Sequence, residues 1–130
     1  MNDFHLAPTG ETPEIHFEYS RNRLSVAGES YPENAMTFYA PIRSSLAQYL
    51  EQLSVDAAVE AHFAFKYFNS SSTKLIRHLI GMLNDAASQG VRVALHWYHD
   101  PDDDMMMEFG MDLGEEYRQI ALKVSPLETA

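Results

Sequence analysis

A chain of 130 residues, 45% of them hydrophobic, is long enough for one globular core and too short for two. Its 19 acidic residues against 9 Lys and Arg give a formal net charge of -10, which makes nucleic acid and anionic membrane surfaces poor partners, because phosphate binding needs clustered cations. The absence of cysteine excludes disulfide frameworks, thiolate nucleophiles and Cys-based zinc or iron–sulfur sites.

The N-terminus, Met1-Asn2-Asp3-Phe4-His5-Leu6, has neither a basic nor an apolar leader region, and no apolar run approaches the ~18 residues of a membrane span. A cytoplasmic location is the expectation. Residues 1–14, with Pro8, Gly10 and Pro13, lack a sustained period and read as a flexible arm. Residues 126–130 read as a tail, leaving 15–125 as the single domain.

Ile15, Phe17 and Tyr19 alternate with His16 and Glu18, and the alternation resumes at Leu24 and Val26, which predicts a β-hairpin ended by Gly28. From Glu33 the spacing changes. Tyr39, Ile42, Leu46, Tyr49, Leu50 and Leu53 fall three or four apart, as on an amphipathic helix. Pro41 lies inside that pattern and lacks the amide that would bond the Thr37 carbonyl, so a kink or break is expected near Ala40.

Val59, Ala61, Phe63, Phe65 and Tyr67 alternate with polar or small residues and predict a half-buried strand ending at Phe68-Asn69. Leu75, Ile76, Leu79, Ile80, Leu83, Ala86 and Ala87 form a helical stripe closed by Gly90. Val91, Val93, Leu95 and Trp97 predict the next strand. A short helix over Met105 to Tyr117, weakened by Gly110 and Gly114, and a last strand through Ile120, Leu122 and Val124 complete the chain. This order predicts an α/β fold: a mixed β-sheet of about five strands with an N-terminal hairpin and helices packed mainly on one face.

Asn69-Ser70-Ser71-Ser72-Thr73-Lys74 is where a strand hands over to a helix through consecutive hydroxyl residues. Such side chains cap the orphan amides of a helix N-terminus, a contribution of about 1 kcal/mol. The same amides and the positive end of the helix dipole also suit a phosphoserine, whose charge of about -1.5 to -2 would act on whatever docks there. Cap and switch are compatible. A serine nucleophile is disfavoured, since the chain has no G-x-S-x-G elbow and nothing places a base beside Ser70.

His96, His99 and Asp102-Asp103-Asp104 carry metal-ligand chemistry, but in a strand His96 shares a face with Tyr98 while His99 points the opposite way. The acidic run also suits the start of a helix. No metal and no cofactor are expected. A small metal-binding or hydrolytic domain using those residues is the alternative reading. Met105-Met106-Met107 and Met111 are divided between core packing and an adaptable exposed surface.

The combination of Gly28-Glu29-Ser30-Tyr31-Pro32-Glu33-Asn34, then Tyr67-Phe68-Asn69-Ser70-Ser71-Ser72-Thr73-Lys74, then Trp97-Tyr98 before Asp102-Asp103-Asp104, resembles the SiaC family of bacterial regulatory phosphoproteins. The resemblance runs from about Ile15 to Val124. That family is similar in architecture to STAS domains, the fold of anti-sigma factor antagonists. The resemblance implies a non-enzymatic partner-switching protein, phosphorylated by a kinase and reset by a PP2C-type phosphatase. Its unmodified form would bind and activate an output enzyme, a diguanylate cyclase in the best-known system, with cyclic di-GMP and biofilm behaviour downstream. Carried over by position, the phosphoacceptor falls at Ser70, with Ser71, Ser72 and Thr73 as alternatives. The implied partner surface comprises Asn69 to Lys74 with Tyr31, Glu33 and Asn34. The family often has threonine at the acceptor position.

Overall fold

In the computed structural model, which describes residues 1–127, six strands are hydrogen-bonded in the order in which the chain makes them. β1 (Phe4–Leu6), β2 (Glu14–Glu18) and β3 (Arg23–Ser30) form an antiparallel meander. β4 (Ala58–Phe68), β5 (Arg92–His99) and β6 (Ala121–Pro126) then add in parallel, each reached through a helix: α1 (Ala35–Glu51), α2 (Ser70–Ser88) and α3 (Asp104–Glu116). Parallel strands need crossovers, and crossovers of one hand that always advance in the same direction put every helix on the same face. The expected α/β fold with helices on one face is what the chain adopts, with six strands instead of about five.

Strand alternation fills the space under the helices. Ile15, Phe17, Leu24, Val26, Phe63, Phe65, Leu95 and Trp97 are buried against Tyr39, Ile42, Leu46 of α1 and Ile76, Leu79, Ile80, Leu83 of α2. Fully burying an apolar side chain of this size contributes about 1.5–3 kcal/mol, so this layer dominates the stability. Gly90, at φ +107°, follows the end of α2 in the left-handed conformation, and its N–H donates to the Ala87 carbonyl at 3.1 Å.

Several details depart from the sequence expectation. The arm expected over 1–14 contributes β1, whose Phe4 and Leu6 pair opposite Phe17 and Ile15. At the other end β6 runs to Pro126, and the Leu127 N–H donates to the His99 carbonyl at 2.6 Å; positions 128–130 of the expected tail lie outside the described residues. α1 passes through Pro41 unbroken. Pro41 and Thr37 both face solvent, where water can satisfy the orphaned Thr37 carbonyl, and Tyr39 and Ile42 anchor the helix to the core on either side of the proline.

Tyr67 does not continue the inward face of β4. Between Gly28 and Glu29 the β3–β4 register shifts, so that Gly28 pairs with Phe65 while Glu29 pairs with Tyr67 and Ser30 with Phe68. The extra residue, Lys66, is a β-bulge that reverses the alternation. Tyr67 is thereby left 50% exposed, and Phe68 turns inward against Phe65, Trp97 and Phe109. This bulge sets the direction in which the chain enters α2.

Candidate functional site

Asn69 is the N-cap of α2: its backbone is extended at φ -87°, ψ 174°, and its Oδ1 accepts the Ser72 N–H at 3.0 Å. Thr73 Oγ1 donates back to the Asn69 carbonyl at 3.1 Å. A cap bond of this kind contributes about 1 kcal/mol. Asn69→Ala is therefore expected to lower the unfolding free energy by that amount, read as a lower urea midpoint with no change in slope, and an unchanged midpoint would show the cap to be redundant with Thr73.

The three serines that follow differ in environment because a helix rotates them through 100° steps. Ser70 and Ser71 are exposed, whereas Ser72 is fully buried. Ser30 Oγ donates to Ser72 Oγ at 2.8 Å, and the Tyr39 hydroxyl lies 2.7 Å from Ser30 Oγ. This chain of buried hydroxyls ties the end of β3, the first half of α1 and the first turn of α2 together. Burial pushes the Tyr39 phenol up to about 12, so it stays a neutral donor throughout the physiological range. Ser72, one of the alternative acceptors, is thus a packing residue. Its place was legible in the sequence: Ser72, Leu75, Ile76 and Leu79 fall on one helical stripe. Ser30 and Tyr39 are partners that sequence reasoning missed, since nothing local shows that the two would meet.

The other expected site residues gather around the same corner. The Asn34 side chain caps α1 by accepting the Thr37 N–H at 3.1 Å. Glu33, Asn34, Met36, Arg43, Ser71, Lys74 and His78 line a cleft of 560 Å³ between the N-terminal halves of α1 and α2. Burial and the neighbouring Arg43 charge hold the His78 imidazole below its ordinary value, so the local positive charge at neutral pH comes from Arg43 and Lys74. In a protein of net charge -10 this is a locally cationic spot. Beside it Tyr31, Tyr67 and Met36 are 38%, 50% and 71% exposed, and the two tyrosine rings meet edge to face at 5.9 Å. The corner therefore offers an exposed hydroxyl, two helix N-termini, cations and apolar surface together, the ingredients of a protein-docking surface sensitive to a phosphate.

The acidic segment has a structural explanation. Asp103 Oδ1 caps α3 by accepting the Met106 N–H at 3.0 Å, and Asp100 Oδ1 accepts the Asp102 N–H at 2.9 Å. His99 is buried with its Nδ1 2.9 Å from the Asp100 carbonyl, while His96 lies on the opposite face of β5. The alternative reading of a metal or hydrolytic centre built from His96, His99 and Asp102 to Asp104 fails on this geometry. Of the methionines, Met106 is buried, and Met105 and Met111 are 82% and 56% exposed. Among the described residues no helix is long and apolar enough to cross a membrane.

Comparison with known proteins agrees with this architecture. An uncharacterized protein of Pseudomonas aeruginosa strain UCBPP-PA14 is 30% identical over 121 residues, covering 92% of this chain and 90% of that one. The fold matches SiaC of P. aeruginosa in a crystal structure of the diguanylate cyclase SiaD in complex with its activator SiaC, with a TM-score of 0.88, 25% identity, and coverage of 96% of this chain and 100% of SiaC. Apo-SiaC from the same organism matches at a TM-score of 0.83 and 25% identity over 98% of this chain and 100% of that one. The family model for SiaC family regulatory phosphoproteins matches residues 6–127, and with these likenesses the chain belongs to the SiaC family.

Proposed function

We propose that this protein is a non-enzymatic activator of a diguanylate cyclase, released from that enzyme when Ser70 is phosphorylated by a protein kinase and restored by a PP2C-type phosphatase. The observation that carries this reading is the division of labour among the serines. Ser70 is the first residue of α2 and exposed, Asn69 performs the capping, and Ser72 is locked into the core, so a phosphate at Ser70 disturbs nothing inside the domain. Its effect falls entirely on a docked partner. The P. aeruginosa relative, described as the activator of SiaD, supports the class of partner.

The docking surface in this reading is the corner formed by Asn69, Ser70, Ser71, Thr73 and Lys74 with Tyr31, Glu33, Asn34, Met36 and Tyr67; Ser72, being fully buried, drops out of the expected partner surface. Within this chain the positive end of α2 and the nearby Lys74 and Arg43 ease a phosphate at Ser70, but a partner packed over it must strip its water and face its charge, which costs the complex and not the domain. Cyclic di-GMP output, and the biofilm behaviour that follows it, would fall on phosphorylation.

Binding of the full chain to the diguanylate cyclase encoded in its host is the direct test. Ser70→Asp is expected to weaken the complex at least about tenfold, equivalent to 1.4 kcal/mol, and Ser70→Ala to leave it intact. Intact mass after incubation with the host kinase should show one phosphate on wild type and none on Ser70→Ala. If the alanine variant is still modified and still released, Ser71 or Thr73 is the acceptor. If phosphorylated wild type stays bound, the switch lies elsewhere.

A further inference from the structure

The crossovers that place all helices on one face leave the other face of the sheet open, and the strand registers align histidines across it. His5 pairs with His16, His16 with Ser25, Ser25 with His62, His62 with His96, and His96 with Lys123. Four of the six histidines in the chain, His5, His16, His62 and His96, thus stand in one row on the side away from the phosphoserine corner.

At the centre of that row Glu60, two residues before His62 on β4, points to the same side. Its Oε1 lies 2.8 Å from His62 Nε2 and 3.7 Å from His96 Nε2, and one ligand atom from each of the three residues falls within 4.8 Å of the others. The side chains of His62 and His96 are 14% and 29% exposed, so they are shielded yet reachable. His62 Nδ1 sits 2.9 Å from the Tyr98 hydroxyl. That hydroxyl can donate or accept, so it can support the tautomer in which Nδ1 carries the proton and Nε2 presents its lone pair.

We propose that Glu60, His62 and His96 form a binding site for a divalent transition-metal ion of the zinc class. Two imidazoles and a carboxylate are a borderline donor set that suits zinc and disfavours magnesium. Around a tetrahedral zinc, donor atoms at 2.0–2.1 Å from the ion stand about 3.3 Å apart, which lies between the two Glu60–His separations of 2.8 and 3.7 Å. The imidazole rings are stacked, 4.6 Å apart and within 5° of parallel. Closing on an ion therefore requires each ring to pivot about its Cβ–Cγ bond, an adjustment the open side of the sheet leaves room for. Arg23, whose Nη1 is 3.8 Å from Glu60 Oε1, and Lys123, beside His96, are the cations that oppose an ion here. Their charge lowers the affinity expected of this donor set.

Calorimetric titration of the tag-free, chelator-treated full chain with zinc chloride at pH 7.5 tests this. One ion per chain is expected to bind, with a rise of several degrees in melting temperature under excess zinc and no response to magnesium. His62→Ala and His96→Ala are each expected to weaken binding at least about tenfold, as is Glu60→Gln, which keeps the shape of the side chain and removes its charge. His16→Ala should leave it unchanged. In a nitrogen–proton correlation spectrum of the imidazoles, zinc should move the resonances of His62 and His96 and spare those of His78 and His99. No binding at about a hundredfold excess of zinc over protein, or binding that survives both histidine variants, would overturn the proposal and leave the row a solvated polar face.

Discussion

Ser72→Asp is expected to remove much of the stability of this domain, whereas Ser70→Asp, two residues away, leaves it unchanged or slightly raised. The Ser72 hydroxyl is fully buried against Ser30, which in turn meets Tyr39. A carboxylate there would occupy a site with two hydroxyls for company and no cation among the partners that Ser72 Oγ contacts. An uncompensated buried charge costs about 3–5 kcal/mol, or raises its own pKa until it is neutral at a comparable cost at neutral pH. Ser70 begins the helix on the solvent side, where an acidic residue faces the positive end of the dipole and gains about 0.3–1 kcal/mol. Urea unfolding followed by far-ultraviolet circular dichroism measures both. The sign of the pH effect follows from the raised carboxyl pKa: the Ser72→Asp deficit should shrink as the pH falls and the group takes up its proton. Equal midpoints for the two variants would mean that the first turn of α2 opens freely and that burial does not protect Ser72 from a kinase.

That contrast matters because four consecutive hydroxyl residues look equivalent in the sequence. The order of elements was legible from alternation and helical spacing, and so was the corner at Asn69 to Lys74. Extending the apolar stripe of α2 back by one turn would also have placed Ser72 inside. What could not be read was anything that depends on how separate segments align. β1 is three residues long and acquires its meaning from pairing with β2. The outward turn of Tyr67 follows from a bulge defined only by the register of β4 on β3. The alternation of β4 and β5 put His62 and His96 each on a polar face, but only the parallel register sets them side by side. Pro41 is the opposite case: the local rule allowed a break, and α1 makes none, because Tyr39 and Ile42 anchor the helix to the core on either side of the proline.

Gly110 and Gly114 in α3 show how a local rule can carry the wrong meaning. As helix residues each is less favourable than alanine by about 1 kcal/mol, which suggests a weak helix. A Cβ on Gly110, however, would stand 2.4 Å from Trp97 Cδ1 and 2.9 Å from Trp97 Nε1, and one on Gly114 would stand 2.9 Å from Leu122 Cδ2. The glycines are what allow α3 to approach β5 and β6. Trp97 cannot swing aside, because it is fully buried among Phe63, Phe65, Phe68 and Phe109, and its Nε1–H donates to the Met106 carbonyl of the same helix at 3.0 Å. Gly110→Ala must therefore lift α3 off the sheet or break that bond. Overpacking of this kind costs about 1–3 kcal/mol, and loss of the indole bond adds about 1 more, which together exceed the gain in helix propensity. The expected result is a net loss of about 2 kcal/mol, with tryptophan fluorescence shifted to the red as the indole meets water. Gly81 in α2 is the control. A Cβ there would make ordinary contacts of 3.5–3.8 Å with the Tyr117 ring. Gly81→Ala should therefore stabilise by about 0.5–1 kcal/mol, the opposite sign for the same substitution in a neighbouring helix. If both variants proved stabilising, α3 would be riding loosely on the sheet, and its exposed Met105 and Met111 could not be treated as a surface of fixed shape.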